Sequence, residues 1–274
     1  RDYRIIINSN GTLLKPALAD YFALYRERIS FGISLDGPKE FHDKFRRKEG
    51  AFARAMSAIT LLGKKGLSVE VNCTVFDENY GVCLELINLL RDTAASIRYT
   101  PYVAPSGGGR DLQEKNLDAA SIQAIILTVS RLRRQGYPVF VNAPLALLDP
   151  KDALIIECGW GQSLCGINAW GDVCMCPVTS EPSLIAGNIR AHSLESIWTN
   201  ATLFRQLRNV SVEDIEGVCS ICVIRQYCRG GCRLNGYLLT GRLTAPNIIC
   251  QKLYDAGYFP AYAVEQPTRV AMSG

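Results

Sequence analysis

Long apolar runs are missing from this 274-residue chain, and so is any strong excess of one charge. No uncharged hydrophobic stretch approaches the roughly 18 residues that a membrane span requires. No secretory signal pattern opens the sequence either. Thirty Lys and Arg stand against 26 Asp and Glu, a formal charge of +4, too mild by itself to argue for a nucleic-acid partner. Histidine is scarce: His42 and His192 are the only two, and an isolated histidine is most often structural. Ser106-Gly107-Gly108-Gly109 lacks the following Lys-Ser/Thr of a phosphate-binding loop and reads as flexible linker. Membrane spans, long disorder, collagen and a tiny disulfide knot are thereby excluded. With 48% hydrophobic residues, the chain can bury a substantial core, as one large domain or as one medium and one small.

What is present first is alternation. Short β-branched runs recur at Arg4–Asn8, Ile29–Leu35, Leu67–Val75, Ser96–Val103 and Tyr137–Val141. Helix-like segments separate most of them, near 14–27, 51–65, 78–92 and 117–135. In the third, Leu84, Ile87, Asn88 and Arg91 fall at helical spacing. Strand and helix in this rhythm predict βαβ units and a parallel sheet, part of a barrel or of a doubly wound sheet. Loops after parallel strands are where such folds place chemistry. Two qualify here, Asn8-Ser9-Asn10-Gly11-Thr12 and Ser34-Leu35-Asp36-Gly37-Pro38, although Asn-Gly and Asp-Gly-Pro are also plain turn formers. The basic stretch Lys44–Lys48 reads as a solvated face.

Cysteine is the anomaly. There are eleven, an odd number that cannot all pair as disulfides. Nine crowd positions 158–250, while Cys73 and Cys83 stand apart and read as core residues. Nothing signals export to an oxidising compartment, so metal ligation is the better first reading. From Cys219 the chain runs C-x2-C-x5-C-x3-C, ending at Cys232, and Cys250 follows after seventeen residues. A two-residue gap wraps backbone around a metal site, and Gly230 and Gly231 permit a tight turn beside it. Upstream, Cys158, Gly171 and Cys176 form C-x12-G-x4-C.

This pattern resembles the seven-cysteine SPASM extension of radical S-adenosylmethionine enzymes. Trp170-Gly171-Asp172-Val173, Gly187-Asn188-Ile189, Leu194–Trp198 and Cys228-Arg229-Gly230-Gly231-Cys232-Arg233 match its wording. The resemblance implies an α/β chain: residues 1–142 as the C-terminal part of a partial (β/α)6 barrel, 143–157 as linker, 158–255 as a small iron–sulfur domain, and 256–274 as tail. It implies two auxiliary [4Fe-4S] clusters. The nearer would take Cys158, Cys176 and Cys232, with Cys165 or Cys174 as a fourth ligand and Cys165 preferred. The farther would take Cys219, Cys222, Cys228 and Cys250. It also places Ser34 and Arg46 on S-adenosylmethionine, roles that suit a hydroxyl and a guanidinium, with a further contact near Tyr102 or Val103.

The sequence departs from the family in lacking the C-x3-C-x2-C motif that holds the radical-generating third [4Fe-4S] cluster, together with the first strands of the barrel. A chain truncated by ~100 residues is expected on domain-size grounds. Alone it would not generate a 5′-deoxyadenosyl radical, and it would leave a sheet edge at Arg4–Asn8. Pro177 stands where sulfatase-maturating relatives carry a basic aspartate, which favours maturation of ribosomally made peptides over formylglycine formation. The implied partners are a precursor peptide or protein and an electron donor such as flavodoxin or ferredoxin, in the cytoplasm, with neither nucleic acid nor membrane. The alternatives are a non-catalytic iron–sulfur electron-transfer or scaffold protein and a zinc-binding module.

Overall fold

The computed structural model describes residues 3–93, 95–102, 116–148, 158–179 and 181–264. The chain divides into two compact units, one of Arg1–Tyr102 with Ser121–Ala143, the other of Val103–Ala120 with Pro144–Gly274. No helix among the described residues is long and apolar enough to cross a membrane.

The first unit is built on a five-stranded sheet: β1 (Ile5–Ser9), β2 (Ile29–Ser34), β3 (Ser68–Val75), β4 (Ser96–Pro101) and β5 (Val139–Val141). All neighbouring pairs are parallel, and the strand order is the sequence order. A doubly wound sheet reverses direction at a switch point. Here the order never reverses, so right-handed crossovers wind one way, as in a barrel wall. The helices α1 (Pro16–Ala23), α2 (Lys39–Phe45), α3 (Ala51–Lys64), a single turn α4 (Leu86–Leu89) and α5 (Ala119–Arg134) fall between the strands.

The sheet faces differ in kind. On one, Phe31, Ile33, Val69, Val71, Cys73, Val75, Ile97 and Tyr99 are buried, and α3 packs against β2 and β3 with Ala55, Ala58, Ile59 and Leu62 buried. On the other, Ser34, Glu70, Asn72, Thr74, Arg98 and Thr100 are half-buried. Parallel sheets usually bury both faces in apolar runs. A wall of polar residues is instead what the inside of a ligand-binding barrel requires. β1 is an edge strand, and its Ile6 is 69% exposed.

All five expected strands are present, within two residues of their predicted bounds. The helix expected over 78–92 is not. That stretch is turns, a 3-10 turn at Cys83–Glu85, and α4. The cause is Asn79, which is buried and uses its side chain in place of helical backbone. Its Nδ2 donates to the carbonyls of Asp36 (2.7 Å) and Thr74 (2.8 Å), and its Oδ1 accepts from the Phe76 N–H at 2.7 Å. Of the basic stretch Lys44–Lys48, Lys44, Arg46, Arg47 and Lys48 are exposed, as a solvated face requires, and Phe45 is half-buried at the end of α2. The Ser106–Gly109 linker and the Val103 contact lie outside the described residues.

Among the described residues, the second unit carries a small antiparallel sheet of β6 (Gly166–Ile167), β7 (Asp172–Cys174) and β8 (Ile185–Asn188), then five short helices: α6 (Leu194–Asn200), α7 (Thr202–Asn209), α8 (Arg225–Cys228), α9 (Arg233–Thr240) and α10 (Ile248–Asp255). Its largest core joins Trp160, Val173, Met175, Leu184, Ile197, Phe204, Leu207 and Leu234. The Trp-Gly-Asp and Gly-Asn segments interlock at the sheet end. The Asp172 carboxylate accepts from Asn168 Nδ2 (2.9 Å) and Asn188 Nδ2 (2.8 Å), which holds its pKa below the usual carboxylate range.

Candidate functional site

In the second unit, four of the predicted ligands converge. Cys219 lies in a 3-10 turn at Gly217–Ile221, Cys222 just after it, Cys228 at the end of α8 and Cys250 in α10. All four are buried. All four line one small pocket, whose wall is completed by Ala146, Val218, Arg225, Gly230, Asn247 and Phe259. Among the described residues, no three His, Cys, Asp or Glu groups converge closely enough to grip a single ion. A zinc site with ligand bonds of roughly 2.3 Å draws its thiolates together at a point. Four buried cysteines lining one pocket, with no carboxylate among its lining residues, are a donor set that suits an iron–sulfur cluster.

Backbone N–H groups already face these sulfurs. Asn247 N–H donates to Cys219 Sγ at 3.4 Å. Ile224 and Arg225 N–H groups act on Cys222, and Leu145 N–H acts on Cys228. Each favours the thiolate. Burial nevertheless dominates and pushes all four thiols upward, Cys250 most strongly. The protonated thiols give up their protons only when a cation replaces them. Asn247 also caps α10, its Oδ1 accepting from Ile249 and Cys250 N–H, so the ligand-bearing helix starts at the cavity wall.

A second set forms against the main core of this unit. Cys158, Cys176 and Cys232 are half-buried and influence one another electrostatically. Burial, then Cys232 and Cys176, push the Cys158 thiol up to about 11. Cys165 packs on the same core, yet its field falls on Cys174, which β6–β7 pairing places opposite Gly166. Cys174 is buried in β7. Gly166 is forced by close backbone approach. A Cβ there would stand 2.3 Å from Pro177 N and 2.6 Å from the Cys176 carbonyl carbon.

In the first unit, Ser34 ends β2 and Arg46 follows α2. Arg46 Nε and Nη2 both donate to Asp36 Oδ2, at 2.8 and 2.7 Å. Its Nη1 has no partner among the described residues. Asp36 is 1% exposed, and its Oδ1 also lacks a hydrogen bond. The Asp36 N–H donates to His42 Nδ1 at 3.1 Å, so that nitrogen is an acceptor and His42 is structural. Asp36 went unrecognised in the sequence because Asp-Gly-Pro reads first as a turn. Its position ten residues before Arg46 was the available signal. On the polar face, Arg98 makes a two-pronged pair with Glu70, both bonds 2.7 Å.

Residues 158–223 match the SPASM family model, an iron–sulfur cluster-binding domain. The mycofactocin maturase MftC of Mycobacterium ulcerans is 30% identical, the match covering 94% of this chain and 69% of the relative. The chain belongs to the SPASM-bearing radical S-adenosylmethionine enzymes. An AdoMet-dependent heme synthase of Methanosarcina barkeri is 27% identical over 87% of this chain and 71% of its own length. Among solved structures, anSMEcpe with bound AdoMet and Cp18Cys peptide superposes with a TM-score of 0.67. That match covers 92% of this chain and 72% of the other at 16% identity, and shows a common fold. Radical S-adenosylmethionine barrels with SPASM extensions thus account for both units.

Proposed function

We propose that this chain is the barrel-and-SPASM portion of a maturase that modifies ribosomally made peptides by hydrogen abstraction. The observation that carries the proposal is the set of four buried cysteines lining one pocket, in a chain 30% identical to a mycofactocin maturase. Cys219, Cys222, Cys228 and Cys250 would hold one [4Fe-4S] cluster. Cys158, Cys176 and Cys232, with Cys165 as the fourth ligand, would hold another. Bound iron–sulfur clusters and S-adenosylmethionine supply one-electron and hydrogen-abstraction chemistry.

The protein's own part is placement. Asp36 holds Arg46 by one edge and leaves Nη1 to grip a carboxylate or ribose oxygen of S-adenosylmethionine, with Ser34 donating nearby. The polar sheet face gives the reacting peptide segment hydrogen-bond partners. An electron donor of the flavodoxin or ferredoxin type is the implied partner.

Two measurements test this. Anaerobic reconstitution should load about eight irons per 274-residue chain, as two four-iron clusters require. Zinc in a colourless protein would overturn the cluster assignment. The product of the complete reading frame, given S-adenosylmethionine, a reductant and a short peptide encoded beside it, should remove hydrogen from that peptide by mass spectrometry. An unchanged peptide alongside turnover of a tetrapyrrole would move the assignment toward the heme synthase relatives.

A further inference from the structure

Arg233 is the largest fully buried side chain among the described residues, at 1% exposure. It has no carboxylate partner among the described residues. Its Nη2 donates to the Gly230 carbonyl at 2.7 Å and its Nη1 to the Leu243 carbonyl at 3.3 Å. Its Nε has no hydrogen-bond partner among the described residues. Burying a guanidinium without a countercharge costs several kcal/mol in general, so something must compensate for it.

Among the described residues, the ionisable groups that act on it are thiols. The Gly230 carbonyl that receives Nη2 also receives Asn247 Nδ2 at 3.4 Å, and Asn247 N–H reaches Cys219 Sγ. Gly230 itself lines the four-thiol cavity. On its other side, Arg233 follows Cys232 directly, and its neighbour Leu234 packs in the core that carries Cys158, Cys176 and Cys232. Burial lowers the arginine's pKa, while Cys219, Cys232, Cys228 and Cys158 all act to raise it. Those four residues come from both thiol sets.

We infer that Arg233 is a positioning residue serving both clusters at once, a buried cation between the two ligand sets that raises the reduction potential of each. The inference rests on the cluster reading above. A thiolate-ligated four-iron cluster gains one negative charge when it takes one electron, with no proton or bond change. A fixed cation nearby favours that reduced form. Shared between two sets, the same charge also makes reduction of one cluster weaken its help to the other.

The test uses the 274-residue chain reconstituted anaerobically, with iron counted and then both clusters titrated with dithionite and followed by electron paramagnetic resonance. Arg233→Gln should keep its iron and shift both reduction equilibria at least tenfold toward the oxidised form, about 59 mV for a one-electron couple. Arg233→Lys should stay close to the parent. Unchanged midpoints in the Gln variant, or a shift confined to one cluster, would overturn the inference. If the Gln variant loads no iron while the Lys variant does, the charge is needed even to hold the clusters, which supports it. If neither loads, shape rather than charge is what matters, and the inference fails. A parent chain that takes up no iron would end the cluster reading itself.

Discussion

Single residues carry much of the evidence. Gly230 has a φ of +74°, and a Cβ on it would come within 2.3 Å of Arg233 Nη2. The Gly-Gly of the cysteine tetrad is therefore a seat for the buried arginine as well as a turn. Asp36→Ala should strip Arg46 of two charge-assisted hydrogen bonds and cost about 1–3 kcal/mol in urea unfolding. It should also weaken S-adenosylmethionine binding by equilibrium dialysis, with iron content unchanged; full affinity in the variant would remove Arg46 from the proposed site. Asp43 is a separate case. Its Oδ1 accepts from Phe52 N–H at 2.7 Å and its Oδ2 from Gly50 N–H at 2.9 Å, at the start of α3. These bonds, Phe52 first, hold the carboxyl below its ordinary value. A carboxyl lowered in the folded state adds stability above its unfolded pKa, and loses it as pH falls through the folded one. Asp43→Asn should therefore melt at a lower temperature than the parent at pH 7, and the gap should close on acidification toward pH 3.

At the scale of elements, the strands of the first unit could be read in advance because β-branched residues repeat at a period of two. After exposed Ser68, β3 alternates buried Val69, Val71, Cys73 and Val75 with half-buried Glu70, Asn72 and Thr74. α2 escaped notice because seven residues starting after Pro38 hold too few turns to show a period. Over 78–92 the helical period is real, yet Asn79 offers closer hydrogen bonds than a helix would. The cysteine spacing made the tetrad readable, but nothing in spacing reveals which thiols share a wall. Arg233 was hidden for the same reason, since its burial arises from contacts that only the fold creates. Among the helices, α7 inserts Phe204 and Leu207 into the main core of the second unit, and Arg208 lies 4.5 Å over the Trp198 ring while bonding the Gly161 and Trp198 carbonyls. Phe204→Ala should cost about 3–5 kcal/mol by denaturant unfolding, because the void cannot easily collapse.

For the whole molecule, loading of metal and folding should be one event in the second unit. Its thiols are distributed over segments as distant as 158 and 250, and most are held protonated by burial. Cys222→Ala should leave about four of eight irons and speed amide hydrogen exchange through 215–255, sparing β2–β4 in the first unit. Full iron in that variant would reject the ligand assignment. Because each proton must leave before iron binds, loading should strengthen as pH rises from 6 to 8, measured by iron uptake.

The two-faced sheet also bears on ancestry. Odd and even positions along β3 and β4 answer to different demands, one set to packing against helices and the other to whatever lies against the polar wall. A lineage can therefore exchange Glu70, Asn72, Thr74, Arg98 and Thr100 and acquire new chemistry without disturbing the hydrophobic register that keeps the strands in order. Peptide and tetrapyrrole enzymes sharing one scaffold are what such a division of labour would leave behind.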